Sequence, residues 1–193
     1  MSVMMDIIGA TVVVGMLILS IMGININMSS ETYKSLTEFN IQTQAIQLSR
    51  ILEFDLYKIG YKVKKPNIIA IADTSRLKFY TNLFNVAGAR DSVEYSLSTF
   101  VNGTTNPRDR ALYRYENSSQ VFINYSVTRF KFSYYNSRDS LLAAPVSGGL
   151  RDSIKSVKIY LTLESPEPFD TSQAGGPRYI GTYYQKLIYP RNL

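Results

Sequence analysis

Any chemistry in this chain has to proceed without thiols or imidazoles, because its 193 residues include no Cys and no His. That removes thiolate nucleophiles, Ser–His–Asp triads and the commonest zinc and haem ligands. Carboxylates, Lys, Tyr and Ser remain. No set of them reads as a nucleophile with its base and orienting group, so the chain is expected to be no enzyme and to need no cofactor. Asp73, Asp91, Asp109 and Asp139 lie in or near loop-like sequence, where oxygen ligands can hold calcium. The segment 102–110 (NGTTNPRDR) sets two Arg against one carboxylate, which disfavours a cation there. No glycine-rich loop links a strand to a helix, so nucleotide binding has no support. Asn27, Asn102, Asn117 and Asn124 each begin an acceptor pattern for N-glycosylation.

Asp6 is the carboxylate whose surroundings say most. It stands directly before residues 7–24, IIGATVVVGMLILSIMGI, a stretch without charge. Eighteen such residues are enough for a helix to cross a bilayer core about 30 Å thick. An acid at a membrane edge is costly unless paired, although the positive end of a helix dipole also suits it. Both readings of Asp6 stay open at this point. A cleaved signal peptide would carry basic residues before the apolar run and a small-residue cleavage site after it. Here the first basic residue is Lys34, and residues 25–27 after the run are Asn-Ile-Asn. Ser2 is small, so loss of Met1 is expected, which makes Asp6 the fifth residue of the mature chain. Gly9, Gly15 and Gly23 interrupt the segment. Each costs a helix about 1 kcal/mol relative to Ala, yet in membranes small residues allow helices to approach closely.

The element carrying these residues extends past the apolar run. Ile41, Ala45, Leu48, Leu52, Leu56 and Ile59 recur at steps of three or four and define one helix face. No Pro occurs before Pro66, and Gly60 is placed to stop a helix. One helix of about 55 residues, roughly 80 Å long, is expected. The alternative is two helices with a break at 25–30, where Asn and Ser favour caps. Beyond residue 65, runs of β-branched and aromatic residues alternate with turn residues. Strands are expected at 68–72, 77–83, 92–99, 111–116, 121–125, 128–135, 154–163 and 179–189. The loops are 102–110, 136–151 and 165–178. In the seventh run Val157, Ile159, Leu161 and Leu163 face one way. Fifteen Tyr and nine Phe with no Trp agree with a β-rich domain, and alternating aromatics in strands are expected in the core or as cross-strand pairs. The fold class is therefore α+β, a long N-terminal hydrophobic helix packed on a C-terminal antiparallel β-rich domain. Residues 1–28 form the transmembrane or filament-core helix, 29–65 its amphipathic continuation and 66–193 the β-rich domain.

The N-terminus, from Met1 through Asp6 to Gly9, resembles the start of type IV pilins, where a carboxylate at the fifth mature position precedes a long apolar helix. Asp stands here where that family usually has Glu, and Ser where the mature chain usually begins with Phe. The order of later segments is similar to PilW-type minor pilins and J-type pseudopilins of type II secretion. These are ILEFDLYKIGY at 51–61, SVEYSL at 92–97, ALYR at 111–114, VTRFKFSYY at 127–135, the strand at 154–163 and YPRNL at the end. The resemblance implies a minor pilin or pseudopilin that assembles into a filament with other pilin-like subunits. Membrane lipid would surround its helix before assembly. The chain would pass from the inner membrane to an extracytoplasmic or cell-surface filament. It also implies that Asp6 pairs with a neighbour's N-terminal amine, and that the helix loosens between Gly15 and Gly23 within a filament. A single-pass, membrane-tethered binding module is the alternative, as is the major subunit of the chain's own filament. The net charge of +6 comes from scattered Lys and Arg with no run of five, so nucleic acid is not expected as the primary partner.

Overall fold

A computed structural model describes residues 2–64, 66–171 and 175–193. Met1, Lys65 and residues 172–174 of the expected loop 165–178 lie outside the described residues. The chain divides into two compact units, Met1–Phe39 and Asn40–Leu193.

One helix, α1 (Ser2–Tyr57), runs through the first unit into the second. It is continuous through residues 25–30, so the Asn and Ser residues there do not break it. Thr32 and Thr37 instead direct their hydroxyls to carbonyls four residues back, within the helix. The helix ends where Lys58 and Ile59 donate to carbonyls only three residues behind, and Gly60 then turns at φ +72°. Its N–H donates to the Tyr80 carbonyl at 2.9 Å, stitching the end of the helix to the sheet.

In the second unit the predicted stripe is buried. Leu48, Leu52, Leu56 and Ile59 are fully covered, with Ile41 and Ala45 nearly so. Each of the four fully covered side chains contributes about 1.5–3 kcal/mol of burial. They pack against one face of an antiparallel sheet made from β1 (Ile69–Ala72), β2 (Arg76–Thr81), β3 (Asp91–Val101), β4 (Arg110–Glu116), β5 (Ser119–Tyr135), β7 (Ser156–Glu164) and β8 (Gly181–Ile188), in that order. A short β6 (Leu141–Leu142) pairs with the end of β5, and Gly148–Ser153 forms a 3-10 turn. β6 lies in the segment expected to be loop, 136–151, and the 3-10 turn begins within it and ends two residues beyond, at Ser153. The runs predicted at 121–125 and 128–135 are a single seventeen-residue strand, β5. Its first part pairs with β4 and its second with β7. Register shifts near Val127 take up the irregularity without ending the strand.

The far edge at β1 is covered rather than open. Val146 N–H donates to the Ala72 carbonyl at 2.8 Å, and the Arg151 guanidinium reaches the Ala70 carbonyl. Phe130, Phe132 and Tyr134 alternate inward along β5 and are buried, which is where the alternating aromatics were expected. The turn between β4 and β5 is Asn117-Ser118, both at positive φ, the conformation that two-residue hairpins require.

Gly60 is the position where the backbone leaves least freedom. A Cβ built there would lie 3.0 Å from Ile68 Cδ1 and 3.2 Å from the Asn192 carbonyl oxygen, at a φ that L-residues rarely adopt. Gly60→Ala is expected to lower the stability of the β-domain by about 2 kcal/mol, read from urea unfolding of the full chain in detergent.

Candidate functional site

The first unit offers an open, exposed helix surface. From Val3 to Met28 the large apolar side chains are 51–76% exposed. The helix contains an eighteen-residue window of mean hydropathy 2.5, none of it buried. It is long and apolar enough to cross a membrane. Asp6 lies just beyond the first helical turn, with an exposed side chain. A Cβ added at Gly9, Gly15 or Gly23 would meet nothing within 4 Å, so no contact among the described residues requires these glycines. At 100° per residue Gly9 and Gly23 fall within roughly 40° of each other, whereas Gly15 is turned by about 120° from Gly9. The four predicted residues therefore share a helix but not a single stripe.

The second unit contains a polar cluster that sequence reasoning did not single out. Asp55, on α1, is 1% exposed. Its Oδ2 accepts the Tyr95 hydroxyl at 2.6 Å and Arg114 Nε at 2.7 Å, and the same Nε–H also lies 3.1 Å from the Tyr95 oxygen. Arg114 completes its pairing on Glu116. Tyr95 on β3 and Arg114 on β4 are direct register partners, so the two strands present one composite receptor to the helix. Burial, then the Asp55 carboxylate, push the Tyr95 phenol well above its ordinary value, with Arg114 opposing. For Arg114 burial works against the charge, but the bond to Asp55 outweighs it and the guanidinium is held more firmly protonated.

A second contact pins the same stretch of helix. Glu53 accepts the Tyr184 hydroxyl and Lys186 Nζ of β8, both at 2.5 Å. Burial pushes the Glu53 carboxyl up, but these two donors prevail and hold it below its ordinary value. Burial, followed by Glu53, raises the Tyr184 phenol. Further along, the Tyr125 hydroxyl donates to Gln47 at 2.8 Å.

The four carboxylates expected in or near loops do not converge, and Asp91 is the first residue of β3. Asp91 accepts the Leu83 N–H and the Asn117 amide, both at 2.8 Å. The Asp139 carboxylate lies 3.5 Å from the Tyr189 hydroxyl, and Asp73 accepts the Thr74 N–H. Asp109 is buried and accepts the Thr104 hydroxyl at 2.9 Å, and burial raises its carboxyl. Nearby, Asn106 is fully buried and donates to Glu164 and to the Ser165 carbonyl, while Arg108 pairs with Glu164 at 2.7 Å. Among the described residues no group of three or more acidic side chains is placed to hold a metal. Of the four acceptor asparagines, Asn27 lies within α1 and Asn102 follows β3. Asn117 has its amide committed to Ser92 and Asp91, and the side chain of Asn124 is outside the described residues.

A long apolar N-terminal helix whose second half packs on an antiparallel sheet is the type IV pilin-like fold. A type IV-like pilin from Thermus thermophilus matches with a TM-score of 0.50 and 12% sequence identity, over 78% of this chain and 95% of that one. No protein-family model matches this sequence, and no curated protein does.

Removing Arg114 leaves a buried carboxylate without its cation. Arg114→Met is therefore expected to destabilise the β-domain by about 3–5 kcal/mol in urea unfolding. Tyr95→Phe is expected to cost about 1.5–3 kcal/mol at pH 7, the usual worth of a hydrogen bond to a charged group. A phenol raised on folding gives stability that is complete below about pH 10 and lost as pH rises through the folded value. Unfolding measured from pH 8 to 11 should show that alkaline loss in the parent chain and a shallower one in Tyr95→Phe. Glu53 has the opposite sign: its contribution is present above about pH 4.3 and fades as pH falls. Glu53→Gln should flatten the acid limb of the same profile.

Proposed function

We propose that this chain is a structural subunit of a pilin-type filament, a minor pilin or pseudopilin, that assembles by burying its apolar N-terminal helix against helices of like subunits. The observation that carries the reading is the unpartnered apolar surface of residues 3–28 on a chain with a pilin-like fold. Before assembly that surface is covered by membrane lipid, in the inner membrane of the cell. After assembly it is covered by neighbouring helices, with the β-domain outside.

Gly9, Gly15 and Gly23 support this reading because no contact among the described residues explains their cost. Neighbouring helices approaching to within backbone contact would. Asp6, in an apolar assembly, needs a cation, and the terminal amine of an adjacent subunit provides one of the right charge at the right end. The helix is continuous through Gly15 and Gly23 in the isolated chain. Loosening there belongs to the packed state, where the missing side chains leave the backbone open to local rearrangement.

The test is electron microscopy of filaments sheared from cells, with mass spectrometry of the subunit's N-terminus. Filaments containing this chain are expected from the parent. Asp6→Ala and Gly23→Leu are expected to abolish or sharply reduce them, while the unfolding midpoint of the β-domain stays within about 0.5 kcal/mol of the parent. Normal filaments from Asp6→Ala would remove the pairing role. A chain found in membranes only as a monomer would replace the filament reading with that of a tethered binding module.

A further inference from the structure

The sheet face turned away from α1 carries a cleft that none of the anchoring contacts uses. It encloses about 430 Å³ and is lined by Arg76, Lys78, Glu94, Tyr115 and the hydroxyl-bearing Ser92, Ser96 and Ser118. The registers assemble it. Lys78 is the partner of Glu94 and Glu94 of Tyr115, so a cation, a carboxylate and an aromatic ring lie in one row across β2, β3 and β4. Arg76 stands opposite Ser96 in a parallel row.

Glu94 is unusual for a carboxylate on a solvent-side sheet face, because it is only 8% exposed. It is held by Arg76 Nε at 2.6 Å and Lys78 Nζ at 3.3 Å. Arg76 reaches it through Nε, and its side chain is 50% exposed. The rim is also fixed before any ligand arrives. Asn117 of the β4–β5 turn exchanges hydrogen bonds with the Ser92 backbone, accepting its N–H at 2.8 Å and donating to its carbonyl at 2.9 Å. Its amide also donates to Asp91 at 2.8 Å. A rim locked in this way loses little freedom on binding.

We infer that this cleft binds an acidic saccharide. The volume lies in the range of small-molecule sites, roughly 300–1,000 Å³, but the lining is polar where most such sites are apolar. A sugar ring matches that lining on three counts. Its hydroxyls donate to Glu94 and exchange hydrogen bonds with the serines. Its C–H face lies on the Tyr115 ring. A sugar carboxylate pairs with Arg76 and Lys78, the two cations that outnumber the single carboxylate of the cleft. A phosphate-rich polymer fits less well, because Glu94 would face its charge, and Tyr115 with Tyr113 6.2 Å away makes only a short, tilted platform for bases. The inference rests on the second unit alone and does not depend on filament assembly.

The test titrates the full chain in detergent micelles with a galacturonic acid trisaccharide, the neutral galactose trisaccharide and a short oligothymidylate, read by calorimetry. Saturable binding of the acidic sugar is expected, with the neutral sugar about tenfold weaker, the worth of one charge-assisted contact. Arg76→Gln and Tyr115→Ala should each weaken the acidic sugar by about tenfold or more while each variant keeps a cooperative unfolding transition. Absence of saturable binding, undiminished binding in both variants, or tighter binding of the oligothymidylate would each overturn the assignment. A parent chain that binds the sugar but forms no filaments would uphold this site and remove only the filament reading.

Discussion

A carboxylate removed from water must find compensation nearby, and Asp55 finds it in Tyr95 and Arg114. That requirement fixes more than a contact. A helix packed only by Leu48, Leu52 and Leu56 could slide by a turn, about 5.4 Å, and bury another set of apolar side chains. Such a slide would leave Asp55 buried without its cation, at a cost of several kcal/mol. Glu53 adds the second bearing. Relative to the midpoint of Leu52 and Leu56, Glu53 and Asp55 project roughly 80° to either side of the buried stripe. One is held by β8, the other by β3 and β4. The stripe supplies the burial, and the flanking acids set the position and rotation of the helix on the sheet.

How much of this was readable in the sequence follows from which features are local. The helix stripe, the apolar run, the stop at Gly60 and the inward set of β7 all have short periods, and their residues were assigned to the faces they occupy. The strand pattern was legible except where it is carried by pairing rather than by composition. Ser126 and Val127 look like a gap between two strands, yet β5 continues through them because β4 and β7 pair with it on either side of the shift. β6 is two residues long and exists only as a partner of β5. The Asp55 cluster was hidden for a different reason. Its members are separated by forty and fifty-nine residues, and only the sheet register brings them together. The signal was present in part: the segments at 51–61, 92–97 and 111–114, noted for their resemblance to pilins, are the three that contribute Asp55, Tyr95 and Arg114.

The two ends of α1 obey different physics although they share one unbroken backbone. Between Asn40 and Tyr57 the helix has one covered face within its own unit. The other face keeps Ile46 and Phe54 more than half exposed, with Lys58 set over the Phe54 ring at 4.2 Å. Before Asn40 none of the described residues is buried, and the apolar side chains point in every direction. A helix that is apolar all round is stable only in lipid or among other helices. Three glycines lie in this exposed stretch, each with open space around the position of a Cβ, and each costs a helix about 1 kcal/mol relative to Ala.

The alternation of a β-strand then explains how one domain can anchor a helix and still carry a recognition surface. Glu94 and Tyr95 are neighbours in sequence but face opposite sides of the sheet, as do Arg114 and Tyr115. The register that sets Tyr95 and Arg114 against Asp55 is the register that sets Glu94 between Arg76 and Lys78, with Tyr115 alongside. A slip of one residue in β3 would turn Glu94 toward the apolar core and Tyr95 toward solvent, destroying both arrangements at once. The buried face therefore guards the geometry of the exposed one. Substitutions on the outer positions leave the anchor untouched, so the chemistry of the cleft can change without disturbing how the helix is held.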